Sequence, residues 1–236
     1  MSMTTGRRVG DRAPNDVQAR VSDPQLVERR RGQIVQAAVK LFSAQGYHNT
    51  TVAQIAREAG ISTGLVYQYF REKDDLLLLS LKLVLDTYEC EIPPRLAGVE
   101  HPVPRLCTAL RGYCEIVDQL REATVLAYRS TKSLRADRRD IIKQAETRTN
   151  QLIEDCIVAC VDARHMRPVN AHLLAYSQVM YCHGWALKHW AYRERYSLDR
   201  FVEEGLKLLV EPLLTHDGRA ALERFRFLGA PRAKRA

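Results

Sequence analysis

The sequence predicts an all-α protein, with a small three-helix unit at its N-terminal end and a larger helical domain behind it. Three observations carry that prediction. Apolar residues recur at helical spacing through most of the chain between Pro24 and Leu214. No stretch alternates apolar and polar residues as a half-buried strand would, and no internal repeat is present. Residues Thr51 to Phe70, TVAQIAREAGISTGLVYQYF, hold two short helical patterns joined at a glycine.

Taken in order, residues 1–23 are rich in Arg, Asp, Gly and Pro with no apolar period, and read as a disordered basic arm. Arg7, Arg8, Arg12 and Arg20 either reach a DNA groove or, on the simpler reading, decorate a solvated tail. The first helix begins near Asp23-Pro24, a cap followed by proline in the first turn. Ile34, Ala38, Leu41 and Phe42 form its buried stripe and Gly46 ends it. Arg29, Arg30 and Arg31 stand near its start, where positive charge opposes the helix dipole unless an anion is close.

The second helix is marked by Val52, Ile55, Ala56 and Ala59 on one face. Thr51 caps it, and Gln54 three residues on can complete a capping box. Gly60 suits the left-handed residue that closes a helix, Ile61 re-enters the core, and Ser62 caps a third helix through Phe70. Two helices joined by so tight a glycine-containing turn have the size of a DNA-binding helix-turn-helix.

After Lys73 a long helix runs to about Glu91, where Pro93-Pro94 is expected to end it. Leu76 to Leu79, Leu81, Leu83, Val84 and Leu85 make it apolar nearly all round. Helices follow over residues 104–120, 122–133, 136–164, 171–192 and 198–214, the last interrupted near Pro212. The domain reading is an arm at 1–23, a helix-turn-helix domain at 24–72, a larger domain at 73–216 and a basic tail at 217–236.

With the preceding helix and the closing GLVYQYFREKDDLL, this segment resembles the DNA-binding domain of the tetracycline-repressor (TetR) family. AAVKLFSAQGY, TTVAQIAREAGIS and the aromatic run Tyr67, Tyr69, Phe70 before Lys73 carry the likeness, over roughly residues 28–80. A helix entering the major groove presents short side chains at its N-terminus. Ser62, Thr63, Gly64 and Leu65 occupy that turn, with Gly64 permitting close approach and Thr63 able to donate, accept or touch a thymine methyl. Tyr67, Tyr69 and Lys73 are candidates for phosphate oxygens, as are Thr50 and Thr51 through hydroxyls and backbone N–H groups. The resemblance implies the same roles. Many members carry Lys where Thr63 stands here, so fewer charge contacts are expected.

The resemblance also implies a homodimer on a palindromic double-stranded operator, a small-molecule effector in the larger domain, and a long helix that relays effector-driven motion. The last two helices supply the candidate dimer face: Leu173, Val179, Trp185, Trp190, Phe201, Leu206 and Leu209. Candidate effector-lining residues are Tyr113, Cys114, Tyr128, Arg129, Tyr176, Met180 and His183, each of which also suits plain core packing. The segment HGWALKHWAYRERYSLDRFVEEGLKLL is similar to TetR-type regulators of lipid and acyl-CoA catabolism, which implies a hydrophobic or acyl-CoA effector whose phosphates could meet Arg129.

Composition agrees with a DNA partner. The net charge is +8, but residues 76–218 hold 19 basic and 19 acidic side chains, so the excess sits at the two ends. No apolar run approaches the ~18 residues that span a bilayer, and the first residues do not form a secretory signal. A cytoplasmic protein with six reduced cysteines is therefore expected. No phosphate-binding loop, HExxH or GxSxG occurs, so neither a cofactor nor a metal is expected. Cys156 and Cys160 lie four apart without a matching His or Cys pair. The competing reading, a helical enzyme or ligand carrier whose helix-turn-helix only packs, lacks a catalytic constellation.

Overall fold

A computed structural model describes Val17, Arg20 and residues 22–228. The remainder of the predicted arm and the last eight residues lie outside the described residues. The elements of the described residues are all helices joined by turns and loops, and their one β feature is an isolated antiparallel bridge between Met166 and Leu214.

Two compact units divide the chain at Leu79/Ser80, a few residues beyond the boundary read at 72. The first contains α1 (Pro24–Gln45), α2 (Val52–Glu58), α3 (Thr63–Tyr69) and the start of α4 (Lys73–Leu96). Asp23 caps α1 by accepting from the backbone N–H groups of Gln25 and Leu26, and Pro24 fills the first helical position. Ile34, Ala38 and Phe42 are buried as the spacing requires, and Gly46 ends the helix at a positive φ of 85°. Asp75, 2% exposed, accepts from Arg71 N (2.7 Å) and Glu72 N (3.1 Å), which settles donors at the start of α4.

α4 continues through Pro93 and Pro94 instead of stopping before them. Each proline removes one helical bond, to Glu89 and Cys90, and both of those residues are exposed where water can take the carbonyls. Burial of Ile92 and Leu96 and the Arg95 ion pairs with Glu91 and Glu115 hold the last turn. Tertiary burial outweighs the proline signal.

The second unit adds α5 (Pro102–Gln119), α6 (Arg121–Ser130), α7 (Ala136–Asp162), α8 (Ala171–Leu187), the single-turn α9 (His189–Tyr192), α10 (Leu198–Leu209) and α11 (His216–Leu228). The predicted 171–192 helix breaks at Lys188, and the 198–214 helix ends in a 3-10 turn at Glu211–Leu213. α11 occupies much of the stretch read as tail, because Ala221 and Leu222 bury an amphipathic face. α5 lies at the centre: it packs against α7, α8, α10 and α11 and buries ten of its residues. Of the six cysteines five are buried, while Cys90 is exposed.

Candidate nucleic-acid interface and effector site

The turn between α2 and α3 is built from backbone bonds that the sequence specifies. Ile61 N donates to Ala56 O (2.9 Å) and Gly60 N to Arg57 O (3.1 Å), the paired bonds that close a helix on a left-handed residue. Gly60 supplies that residue at φ 68°. The capping box is complete: Thr51 Oγ1 accepts from Gln54 N (3.2 Å), and Thr51 N donates to Gln54 Oε1 (2.8 Å). Ser62 Oγ accepts from Leu65 N at 3.2 Å and so fixes the first turn of α3. From α1, Gln33 Nε2 donates to Ala59 O (2.6 Å) and ties the turn down.

On this frame α3 buries one face and shows the other. Val66, Tyr69 and Phe70 are buried with Ile55 and Ala56 of α2. Ser62, Gly64, Tyr67 and Gln68 are exposed, Tyr67 at 46%, while Thr63 and Leu65 are half-buried. Nothing lies within 4 Å of where a Cβ on Gly64 would sit, so its smallness answers no need inside the chain. Gln68, overlooked in the sequence because polar residues carry no periodic signal, shares the open face with Tyr67.

Two sequence candidates do not reach that face. Tyr69 is 3% exposed and belongs to the core under α3, one position round the helix from the open side. Thr50 is 1% exposed, and its hydroxyl donates to Gly46 O at 2.8 Å, which closes the end of α1. Thr51 is exposed, but its hydroxyl and N–H are both engaged by Gln54. Lys73 is half-buried at the start of α4; its ammonium lies 4.3 Å from the centre of the Tyr47 ring, and burial lowers its pKa.

In the second unit, four of the seven effector candidates converge. His183 of α8 is buried with both ring nitrogens engaged: Nε2 on Tyr88 Oη at 3.2 Å and Nδ1 on Tyr128 Oη at 2.8 Å. Tyr128 Oη also lies 3.2 Å from Met180 Sδ. The Tyr88 ring stacks on Tyr113 at 4.0 Å, and Tyr113 donates its hydroxyl to Thr149 O. Burial lowers the His183 pKa to about 4 and raises that of Tyr128 to about 12. Tyr88, the missing member, sits at helical spacing from Leu81, Val84, Leu85 and Ile92, so the periodicity that marked those leucines also placed its ring inward.

The other three candidates stand apart. Arg129 is exposed, and the Tyr176 ring lies tilted against His172 with centroids 4.8 Å apart. Cys114 is buried beside Cys182, next to a gap of about 10 Å³, no more than the least that one water needs. A wider cleft of about 290 Å³ lies elsewhere, lined by Cys107, Arg111, Glu203, Leu206, Leu222, Phe225 and Arg226. Its two arginines are already paired, Arg111 with Asp199 and Glu203, and Arg226 with Glu203 and Glu211.

The dimer candidates divide in the same way. Val179, Trp185, Phe201 and Leu206 are each 3–4% exposed and belong to the core of the single chain, where Phe201 packs on Tyr181 at 4.4 Å and Trp185 donates to Asp118 at 2.8 Å. The apolar stripe of α10 is consumed within its own unit, against α5 and α8. Leu209 is half-buried, whereas Leu173 (64%) and Trp190 (70%) are exposed, as are Met180 and Leu208.

Comparison with known proteins places this geometry. Residues 34–79 match the family described as bacterial regulatory proteins, tetR family, and residues 99–193 match the tetracyclin repressor-like C-terminal domain. The HTH-type transcriptional regulator HbdR of Aromatoleum sp. (strain CIB) is 62% identical over 206 residues, covering 87% of this chain and 90% of that protein. Among solved structures, AibR in complex with isovaleryl coenzyme A and operator DNA superposes with a TM-score of 0.66 at 19% identity, over 76% of this chain and 97% of that one. The ketosteroid transcriptional regulator KstR2 of Mycobacterium tuberculosis superposes with a TM-score of 0.64 at 19% identity, over 84% and 99%.

Proposed function

The chain belongs to the tetR family of bacterial regulatory proteins and is a DNA-binding transcriptional regulator, and on that premise we propose that it is a homodimeric repressor released from a palindromic operator by an acyl-CoA or related hydrophobic effector. The observation that carries the reading is the open outer face of α3, held on a buried and fully capped turn. Ser62, Thr63, Gly64 and Leu65 meet base edges in the major groove. Tyr67 and Lys73 meet phosphates, and Thr51 stands beside them at the start of α2. The dimer sets two such helices about one helical turn of DNA apart.

The partner surface in this reading is the exposed stripe of α8. Exposed Leu173, Ser177 and Met180 and half-buried Gly184 recur at three- and four-residue spacing, with exposed Leu208 of α10 added. A Cβ on Gly184 would touch nothing in its own chain, which leaves the glycine free to admit a second helix.

Support for the effector class comes from AibR, a fold relative described with isovaleryl coenzyme A. The effector enters among Tyr88, Tyr113, Tyr128 and His183, where the packing is closed, so binding favours an opened arrangement of α4, α6 and α8. It can shift the equilibrium only by its preference for that arrangement over the DNA-binding one. Among the described residues no helix is long and apolar enough to cross a membrane, and the regulator is read as working in the cytoplasm where its DNA lies.

The test uses a duplex selected by the protein from a random library, with binding followed by fluorescence anisotropy. Isovaleryl-, hexanoyl- and benzoyl-CoA are then titrated, with free coenzyme A as control. Release by an acyl-CoA but not by coenzyme A is the expected result. Release by none would remove the effector class while leaving the operator claim standing.

A further inference from the structure

α3 is too short to secure its own C-terminal end. It has seven residues and no basic residue in its last turn, so its final carbonyls need donors from elsewhere. They receive them from two arginines. Arg20 N donates to Gln68 O at 2.8 Å. The Arg31 guanidinium donates to Tyr69 O through Nε (3.3 Å) and Nη2 (3.2 Å), and Nη2 reaches back to Val17 O at 2.6 Å. The same guanidinium lies 5.7 Å from the centre of the Phe70 ring. Val17 is 3% exposed, so Val17 and Arg20, three residues apart, are each tied to the end of α3.

The backbone of Arg20 is thereby spent on the recognition helix while its side chain is not. That side chain is exposed and has no partner among the described residues. It springs from a backbone bonded to Gln68, which with Tyr67 forms the open edge of α3. A planar guanidinium suits a phosphate, which it can meet with two parallel hydrogen bonds. It would also restore a cation to a reading surface that presents Thr63 near its tip.

We propose that Arg20 is a phosphate-contacting residue of the DNA interface, carried to the edge of the recognition helix by the Val17–Arg31–Tyr69 clamp. The inference rests on the reading that α3 enters DNA. Its contact is to backbone and not to bases, so it adds affinity for any sequence and a share of the salt dependence.

The experiment compares the full wild-type chain with Arg20→Gln and Arg20→Lys, on the selected duplex and on a scrambled duplex of equal length, between 50 and 200 mM salt. Gln keeps the N–H that Gln68 O accepts, and thermal melts should be unchanged. Losing one phosphate contact lowers the slope of log K against log salt by about 0.9, so over this fourfold range wild type should weaken roughly threefold more than Arg20→Gln. Arg20→Gln should weaken both duplexes by the same factor, and Arg20→Lys should keep the wild-type slope. An unchanged slope and affinity in Arg20→Gln would overturn the inference, as would a loss confined to the selected duplex. Wild type that binds neither duplex would defeat the DNA reading of α3 itself, and the inference with it.

Discussion

Acid should destabilise the second unit through His183. The imidazole is buried, flanked by two tyrosine hydroxyls, and burial holds its pKa at about 4 against 6.5 for a free histidine. Between those values the unfolded chain takes up a proton that the folded chain refuses. Stability therefore falls as pH drops from 6.5 to 4, by about 1.4 kcal/mol for each pH unit, or about 3 kcal/mol in all. The neighbouring phenols of Tyr88, Tyr113 and Tyr128 have pKa values raised by burial and stay neutral throughout this window. Glu146 works in the opposite sense: its pKa is raised by burial, so the folded chain takes its proton first and gains stability as pH falls. The comparison that isolates the histidine is wild type against His183→Asn, which keeps a polar group and does not titrate. Urea denaturation followed by circular dichroism at pH 7.5, 6.5, 5.5 and 4.5 would show the two curves converging on acidification, by about 2.5 kcal/mol at pH 4.5. A difference between them that stays constant across the series would refute the reasoning.

Three further outcomes follow from local geometry. Ser62→Ala removes the acceptor for Leu65 N and should cost the first turn of α3 about 1 kcal/mol, read as faster hydrogen exchange at the Leu65 amide with weaker operator binding. A Cβ on Gly184 meets no atom of its own chain, so Gly184→Ala should keep the fold while light scattering shows the dimer weakened toward monomer; a dimer of unchanged stability would remove α8 from the interface. Iodoacetamide at pH 8 should label Cys90 alone. The other five thiols are buried out of the reagent's reach, and burial also resists ionisation of Cys107 and Cys160, pushed up to about 12, and of Cys156, pushed up to about 11; labelling of any of the five in the native protein, read by mass spectrometry, would contradict the packing.

Local signals in the sequence were legible where the chemistry is local. The Asp23 cap, the Thr51–Gln54 box, the left-handed Gly60 and the Ser62 cap each depend on residues within a few positions, and each forms as read. Periodicity located the helices but could not say what covers them. It made Trp185, Phe201 and Leu206 available to a partner, whereas α5 and α8 already take those faces. The turn of Tyr69 away from the open edge of α3 is a matter of one helical position, below the resolution of an aromatic run in sequence. Pro93 and Pro94 misled because the strength of burial at Ile92 and Leu96 is a tertiary property. The His183 chain joins α4, α6 and α8 across 95 and 55 residues, and no spacing rule connects such distant positions. The role of Arg31 in bracing α3 was hidden for the same reason, since its partners Val17 and Tyr69 are 14 and 38 residues away.

The central claim is that two copies of α3 read DNA from its major groove. Hydroxyl-radical and dimethyl-sulfate footprinting of the wild-type protein on its selected duplex tests it most directly. Two protected half-sites with guanine N7 shielded, their centres about 34–36 Å apart along the helix and related by a two-fold axis, are the predicted pattern. A single protected patch, or protection of the backbone with every guanine N7 still reactive, would contradict it.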